Sequence, residues 1–412
     1  MGIESSKYSQ AREIYGDIYL ELSHPYYSAG DTVHGIIHLN LKKMFPGRTI
    51  YLKIKGKEIT SFTTQIERKT YQNGSWHEEK VETSHRGYNK FLDCLSKVFT
   101  NENPEFSPGQ YSIPFSFKLP SRLASSFSQS LGQHKGEIKY TLSVFLEPLN
   151  LSGHTLMYKR KLEIRENYSF LRKKYKSQAE CHIEGCCGLL KLIADNSVII
   201  KTNLKKLAFA PDEEIQIDCV VDNTKSTFDI EAVTFSLKQY LTFRSNDNFM
   251  VSNVPNSQSI TLEGVEAQKS RDYKASIKPS SFPVSTRGNL VISSCFLEIE
   301  FSLKNIDFCN TNKRVSIPIQ INDSKEIMNN NPPIEPPEDW KPQTFHPIVL
   351  LLEEQMYYLP PSALTPSAML AESMMPGGGS RSGSQDGKAE RLDALSSKSE
   401  DSDAEVPLIK SK

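Results

Sequence analysis

Apolar and polar residues alternate in short runs along most of residues 13–322, and this pattern most strongly constrains how the chain folds. Residues 14–22 read IYGDIYLEL and residues 33–41 read VHGIIHLNL; residues 215–221 repeat the pattern in the second half. A period of two places the apolar side chains on one face of a β-strand. Runs of this kind, separated by turn residues, predict antiparallel β-sandwiches rather than alternating strands and helices.

The length of 412 residues predicts two domains with additional segments, because one domain usually needs roughly 100–200 residues. A basic, polar stretch at residues 165–180 is the expected boundary. Residues 27–33 and 209–215 share a pattern of an aromatic residue, a turn, an acid and an alternating strand, which indicates a tandem repeat. We therefore expect a flexible N-terminus, a first domain and a second domain, at residues 1–12, 13–172 and 173–322.

Two regions of the first domain are less regular. Residues 64–90 are polar and charged, which favours a long hairpin or a mobile loop. Residues 91–99 read FLDCLSKVF, whose apolar side chains fit one face of a helix; an irregular strand is the alternative.

The composition changes after residue 322. Residues 329–337 read NNNPPIEPP, which predicts a Pro-rich linker within residues 323–345. Residues 346–412 contain GGGSRSGSQDG and SEDSDAE and have little apolar surface, so a mostly disordered tail with short linear motifs is expected.

Charge and motifs exclude several classes of function. The chain has 49 basic and 49 acidic residues, so it lacks the overall positive charge typical of nucleic-acid-binding proteins. No metalloprotease motif, nucleophile elbow or phosphate-binding loop is present, so we expect no catalytic site and no cofactor. The cysteine count of seven is odd, and the N-terminus lacks the apolar core of a secretory signal; both predict reduced thiols and a cytoplasmic location.

Three residues are candidates for lipidation. Residues 1–6 read MGIESS and fit the pattern for N-myristoylation of Gly2. One myristoyl chain binds a membrane only marginally, so a second contact is needed. S-acylation of Cys186 or Cys187 is one such contact. A zinc site formed by Cys181, His182 and these two cysteines is the alternative, although adjacent cysteines chelate one ion poorly. We expect no metal here.

The tail offers further short signals. Residues 348–354 read IVLLLEE, an apolar then acidic run that loosely resembles a clathrin-binding box. The alternative is a strand or short helix that docks on the second domain. Ser397 and Ser402 each precede a glutamate by three residues and are candidate sites for acid-directed kinases.

Several ordered motifs resemble the N-terminal domain of arrestins. Residues 27–35 read YSAGDTVHG and are followed by IIHLNL, which is similar to the family's Y-x-x-G-D-x-V-x-G entry strand. Residues 108–127 read PGQYSIPFSFKLPSRLASSF, and residues 136–140 read GEIKY; both match later motifs in the family's order. The second half resembles arrestin C-terminal domains at Pro211–Glu214, 222–224 and 236–239.

This resemblance implies an all-β chain of two tandem immunoglobulin-like arrestin β-sandwiches, closest to the arrestin-domain-containing (α-arrestin-like) branch. Residues 14–22 contain no lysine, so the phosphate-sensing Lys-Lys pair of visual arrestins and β-arrestins is missing. The Pro-Pro-x-Tyr motif that recruits WW-domain ubiquitin ligases is also missing from the tail. The Pro-Pro dipeptides continue as Ile-Glu, Glu-Asp and Ser-Ala, at residues 332–335, 336–339 and 360–363.

The resemblance implies a non-enzymatic adaptor in protein trafficking, linking membrane cargo to endocytic or ubiquitination machinery. Its partners would be membrane-protein cargo and trafficking proteins, with a peripheral contact to the plasma or endosomal membrane and no nucleic acid. The alternative is a structural subunit of a retromer-like sorting coat, since that subunit shares the fold.

Overall fold

The computed structural model describes residues 10–72, 75–149, 154–166, 171, 173–183, 196–304, 314–322 and 340–352. Residues 10–15 are helical, and strands account for most of the remainder. No helix in the described ranges is both long and apolar enough to cross a bilayer. The prediction of an all-β chain of tandem sandwiches is confirmed.

The first sandwich has two main antiparallel sheets. One sheet has the order β1-β3-β6, and the other has the order β5-β4-β8, with β7 and β9 pairing with opposite ends of β8. Its strands are β1 (Gly16–Leu22), β2 (Tyr27–Ser28), β3 (Thr32–Leu41), β4 (Thr49–Gln72), β5 (Ser75–Thr100), β6 (Gly109–Lys118), β7 (Phe127–Leu131), β8 (His134–Leu146), β9 (Leu156–Leu162) and β10 (Ile164–Arg165).

The second sandwich is built in the same way. Its sheets have the orders β11-β12-β14-β17 and β13-β20-β19-β15-β16, with β18 pairing with β19. Its strands are β11 (Tyr175–His182), β12 (Ser197–Leu204), β13 (Ala208–Phe209), β14 (Ile215–Asp222), β15 (Ile230–Arg244), β16 (Met250–Glu263), β17 (Ser270–Ile277), β18 (Thr286–Arg287), β19 (Val291–Leu303) and β20 (Arg314–Ile321).

The repeated sequence pattern corresponds to repeated structure. In the first domain β2 pairs in parallel with β10, and in the second domain β13 pairs in parallel with β20. Each short strand leads into a turn that an acidic side chain closes: Asp31 accepts the backbone N–H of Ser28 at 2.7 Å, and Glu213 accepts that of Ala210 at 3.2 Å. Gly30 has a φ of 89°, which only glycine adopts readily.

Residues 64–90 belong to a long hairpin formed by β4 and β5, and residues 91–99 are part of β5. The helical interpretation of residues 91–99 is therefore wrong. The pairing of β4 with β5 shifts register between Ile50 and Tyr51 and between Gly56 and Lys57. These two irregularities bracket the segment and interrupt its period of two, which explains why the sequence resembled a helical face.

Residues 340–352 form an extension of the first sandwich. The strands β21 (Gln343–Thr344) and β22 (Ile348–Leu350) both pair in parallel with β6. The interpretation that this segment docks on the second domain is therefore wrong. Leu350 lies in the core of the first domain, and Phe345 contacts Phe99 with a ring-centroid distance of 4.5 Å. These apolar contacts lie on the first sandwich, which is why the segment docks there.

Candidate interaction surfaces

A buried carboxylate of the first domain binds backbone groups of the second. Glu58, on β4, is 2% exposed and accepts the backbone N–H groups of Asn289, at 3.0 Å, and of Leu290. Burial raises the pKa of Glu58, and the hydrogen bonds from Leu290 and Asn289 partly oppose that rise. Because these hydrogen bonds run from backbone N–H groups of the second domain to a buried side chain of the first, Glu58 ties the two domains together.

A second carboxylate holds the same loop. Glu166 accepts the backbone N–H of Arg287 at 2.7 Å, and its own carbonyl oxygen accepts the side-chain N–H of Asn322 at 3.0 Å. The hydroxyl of Thr286 donates to the carbonyl of Ser125 at 3.1 Å. The first domain thus holds the segment before β19 through hydrogen bonds.

Apolar packing completes the interface. Phe243, on β15 of the second domain, is fully buried within the core of the first domain. Its ring lies so close to Gly136 of β8 that any Cβ at position 136 would overlap it. Nearby, the His85 and Phe249 rings are 4.2 Å apart, and the backbone N–H of Tyr88 donates to Asn246 at 2.6 Å. Phe243 thus joins the second domain to β8, and the contacts of His85 and Tyr88 join it to the β4–β5 hairpin.

The modification sites predicted from sequence remain predictions. The five candidates Gly2, Cys186, Cys187, Ser397 and Ser402 lie outside the described residues. Cys181 and His182 are the final residues of β11, with Cys181 buried and His182 exposed. No group of three or more potential metal ligands occurs in the part of the chain that the structure describes.

The described cysteines are structural side chains. Cys94, Cys181, Cys219 and Cys295 are all buried, and burial raises the pKa of Cys181 to about 11 and those of Cys219 and Cys295 to about 12. Thiolates are the reactive form, so these three thiols are suited to packing rather than to nucleophilic chemistry.

We expect Cys181, Cys219 and Cys295 to resist alkylation by iodoacetamide at pH 8 in the native protein, because little thiolate forms and the sulfur atoms are buried. Mass spectrometry of labelled peptides would give the rates, with the protein unfolded in guanidinium as the control. Equal labelling of the Cys295 peptide before and after unfolding would contradict this expectation.

The final described strand has one buried side and one exposed side. Leu350 is 6% exposed and contacts the first-domain core, whereas Val349 is 74% and Leu351 is 85% exposed. The exposed pair belongs to the run that resembles a clathrin-binding box. Leu350 therefore attaches the strand to the first domain, whereas Val349 and Leu351 remain accessible to a partner.

Replacing Leu350 by aspartate should release residues 340–352 from β6, because a carboxylate in the apolar core is strongly disfavoured. Limited proteolysis would then cut this segment at least tenfold faster than in the native chain. Val349→Asp makes the same chemical change on the exposed side and should leave the cleavage rate unchanged. Equal protection in both variants would show that Leu350 does not hold the strand.

The outer edge of β16 is free in the described part of the chain. This strand is the last in its sheet, pairs with β15 alone, and has no fully buried residue over Met250–Glu263. It contains no charged side chain before Glu263. Edge strands usually carry charges that prevent pairing with other chains. The edge strands β1, β11 and β17 follow that rule: their charged residues are Asp17 and Glu21, Lys176 and Glu180, and Arg271, Asp272 and Lys274.

One part of β16, at Val254 and Pro255, is unsuited to pairing with a strand of another chain. Its register with β15 shifts between Gln239 and Leu241, opposite Val254 and Pro255. Proline lacks a backbone N–H, and a bulge interrupts the ladder. Residues 256–263 continue beyond this point in regular pairing with β15. The hydroxyl of Tyr273 donates to the carbonyl of Glu263 at 2.8 Å, so the free edge covers the seven residues 256–262.

Comparison with known proteins identifies the class that this architecture defines. The model of the arrestin (or S-antigen) N-terminal domain matches residues 16–169, and that of the arrestin (or S-antigen) C-terminal domain matches residues 194–326. Together the two models cover well over half of the chain. The chain belongs to the arrestin-domain family, whose members generally act as non-enzymatic adaptors in trafficking.

The chain is also similar to a particular protein of this family. It is 24% identical over 292 residues to Arrestin domain-containing protein A of Dictyostelium discoideum. The match covers 69% of this chain and 48% of that protein, so the chain matches about half the length of this relative.

Proposed function

We propose that this protein is an adaptor that links membrane-protein cargo to endocytic or ubiquitination machinery, and that it holds an extended cargo segment on the free edge of β16. The observation that carries this proposal is the uncharged, unpaired edge at residues 256–262. An extended peptide can add to such an edge as another strand, with main-chain hydrogen bonds providing affinity.

The interface between the domains supports this role. Phe243 and Arg244, at the end of β15, contact the first domain, and β15 is the strand that pairs with β16. The contacts of Glu58 and Glu166 hold the loop before β19, which pairs with β15 on its other side. The free edge is therefore presented by a sheet whose inner strands are anchored, which lowers the entropic cost of binding.

Two lysine substitutions on the edge should block cargo binding. We expect Ser257→Lys with Ser259→Lys to remove most membrane proteins captured by proximity labelling in cells, because charged edge residues oppose strand addition. Both serines are exposed, so the fold should persist. Ser257→Gln with Ser259→Gln is the matched control, with long side chains but no charge.

Retention of the labelled membrane proteins by the lysine variant would contradict the assignment of cargo binding to this edge. Purification of the native chain as a complex of fixed stoichiometry, unaffected by either pair of substitutions, would instead indicate a coat subunit.

A further inference from the structure

We propose that the outer face of the β5-β4-β8-β9 sheet is a docking surface for an anionic lipid bilayer. This inference goes beyond the proposed function, because it concerns how the first domain meets the membrane and not how cargo is held on β16. It rests on seven lysines, which we name the lysine face: Lys53, Lys55, Lys57, Lys90, Lys139, Lys159 and Lys161.

The register of the sheet places these lysines on one face. Along β4 the even-numbered residues 50–58 are buried, and the odd-numbered positions 51–57 are half-buried or exposed. Lys57 lies opposite both Lys90 of β5 and Lys139 of β8. The next row across the sheet runs from Lys55 of β4 through Thr141 of β8 to Lys161 of β9. The row after it runs from Lys53 of β4 through Ser143 of β8 to Lys159 of β9.

The row of Lys90, Lys57 and Lys139 is unfavourable for folding alone. Neighbouring strands are about 4.8 Å apart, and like charges directly opposite each other destabilise a sheet. Neither Lys57 nor Lys139 forms an ion pair with any residue that the structure describes. A role in binding an anionic partner explains this row of lysines better than a role in stabilising the fold.

The acidic residues on and around this face do not neutralise it. Asp93 is the one carboxylate within the three rows, and it pairs with Lys53 at 3.2 Å and Lys90 at 2.9 Å. Glu163 pairs with Lys161 at the border at 3.0 Å, and Glu137 lies one row beyond Lys139. With seven lysines against these three carboxylates, the net charge is +4, on a chain whose formal net charge is zero. This face therefore carries a local excess of positive charge.

The arrangement fits a membrane better than an extended peptide. The lysines spread over four strands and three rows instead of lining one edge, so they match a plane of charge. Leu95, directly opposite Lys53, is 56% exposed and adds an apolar contact. An exposed leucine among lysines is typical of surfaces that meet the headgroup region.

The N-terminal sequence gives an independent reason to expect such a surface. If Gly2 is myristoylated, the single chain supplies only marginal membrane binding, and a basic surface is a known form of second signal. Each lysine near an anionic leaflet contributes about fivefold in affinity at low salt, so several lysines would stabilise attachment strongly.

The test is flotation of the full chain, produced without N-terminal acylation, with phosphatidylcholine vesicles that contain or lack 30% phosphatidylserine. Lys55→Gln, Lys57→Gln and Lys139→Gln together should lower the partition coefficient onto the phosphatidylserine vesicles at least tenfold. The control combines Lys201→Gln, Lys274→Gln and Lys278→Gln, which make the same charge change on exposed lysines of the second domain and should change binding less than twofold. Thermal melting should show both variants folded.

Equal loss of binding in the two triple variants, or equal binding of the native chain to both kinds of vesicle, would overturn the proposal. Binding of a poly-glutamate peptide that depends on the lysine face, without any vesicle binding, would reassign the face to an acidic protein and also overturn it. None of these outcomes depends on the β16 edge, so a failure here is distinguishable from failure of the cargo proposal.

Discussion

Replacing Phe243 by alanine should lower the free energy of unfolding by about 3–5 kcal/mol, the usual cost of truncating a buried phenylalanine. Phe243 belongs to the second domain by sequence but is fully buried in the core of the first, against Gly136. The cavity would therefore open at the junction between the domains. Denaturant unfolding followed by fluorescence gives the free energy, and hydrogen exchange gives the location.

A matched control lies on the same strand. Phe235 is also fully buried on β15 but belongs to the core of the second domain. Phe235→Ala should destabilise the protein by a comparable amount and increase exchange mainly in β14 and β19. Phe243→Ala should instead increase exchange in the first domain around β8. A cost below about 1 kcal/mol, or exchange changes confined to the second domain, would contradict the role given to Phe243.

Replacing Glu58 by alanine should have the second-largest effect, a loss of about 2–4 kcal/mol. The substitution leaves the backbone N–H groups of Asn289 and Leu290 without this acceptor, and each buried unsatisfied donor costs about 1–3 kcal/mol. Relief from burying the carboxylate offsets part of that cost. Denaturant unfolding measures the loss, and faster exchange of the Leu290 amide would show where it arises.

Glu58→Gln is the control, because it keeps one acceptor oxygen and removes the charge. Burial raises the pKa of Glu58 above its ordinary value of 4.5, so the folded state binds the proton more tightly than the unfolded state. The stability linked to this proton is complete below pH 4.5 and declines as pH rises through the raised pKa. As pH rises from 4.5 through the raised pKa of Glu58, the native protein should therefore lose stability relative to Glu58→Gln. A difference independent of pH, or one that grows with pH, would contradict the account.

The local alternation of side chains predicted most of the strands, because each sandwich buries one face of each sheet. The same rule failed at residues 91–99, where two irregularities in pairing break the period of two. It also failed to place residues 348–350, since three apolar residues do not specify which edge they join. Pairing partners depend on tertiary contacts such as that of Leu350 with the first-domain core.

Predicting the domain interface and the candidate surfaces requires the pairing register of the strands as well as the sequence. In IYLKIKGKE, residues 50–58, the lysines have odd residue numbers, and this spacing already places Lys53, Lys55 and Lys57 on one side of β4. Their meeting with Lys90 and Lys139 follows only from the pairing with β5 and β8. The same alternation places Glu58 on the apolar side of β4 with Ile50 and Ile54, but its hydrogen-bond partners in the second domain follow only from the tertiary structure.

The most direct test of cargo binding is site-specific photo-crosslinking in cells, with benzoylphenylalanine placed at Thr261 on the free edge of β16. The control position is Asp218, an exposed residue on β14 that is paired on both sides. The account predicts that Thr261 crosslinks to extended cytoplasmic segments of membrane proteins, that Asp218 does not, and that Ser257→Lys with Ser259→Lys abolishes these crosslinks. Crosslinks of equal yield to the same proteins from both positions, or none from Thr261, would contradict it.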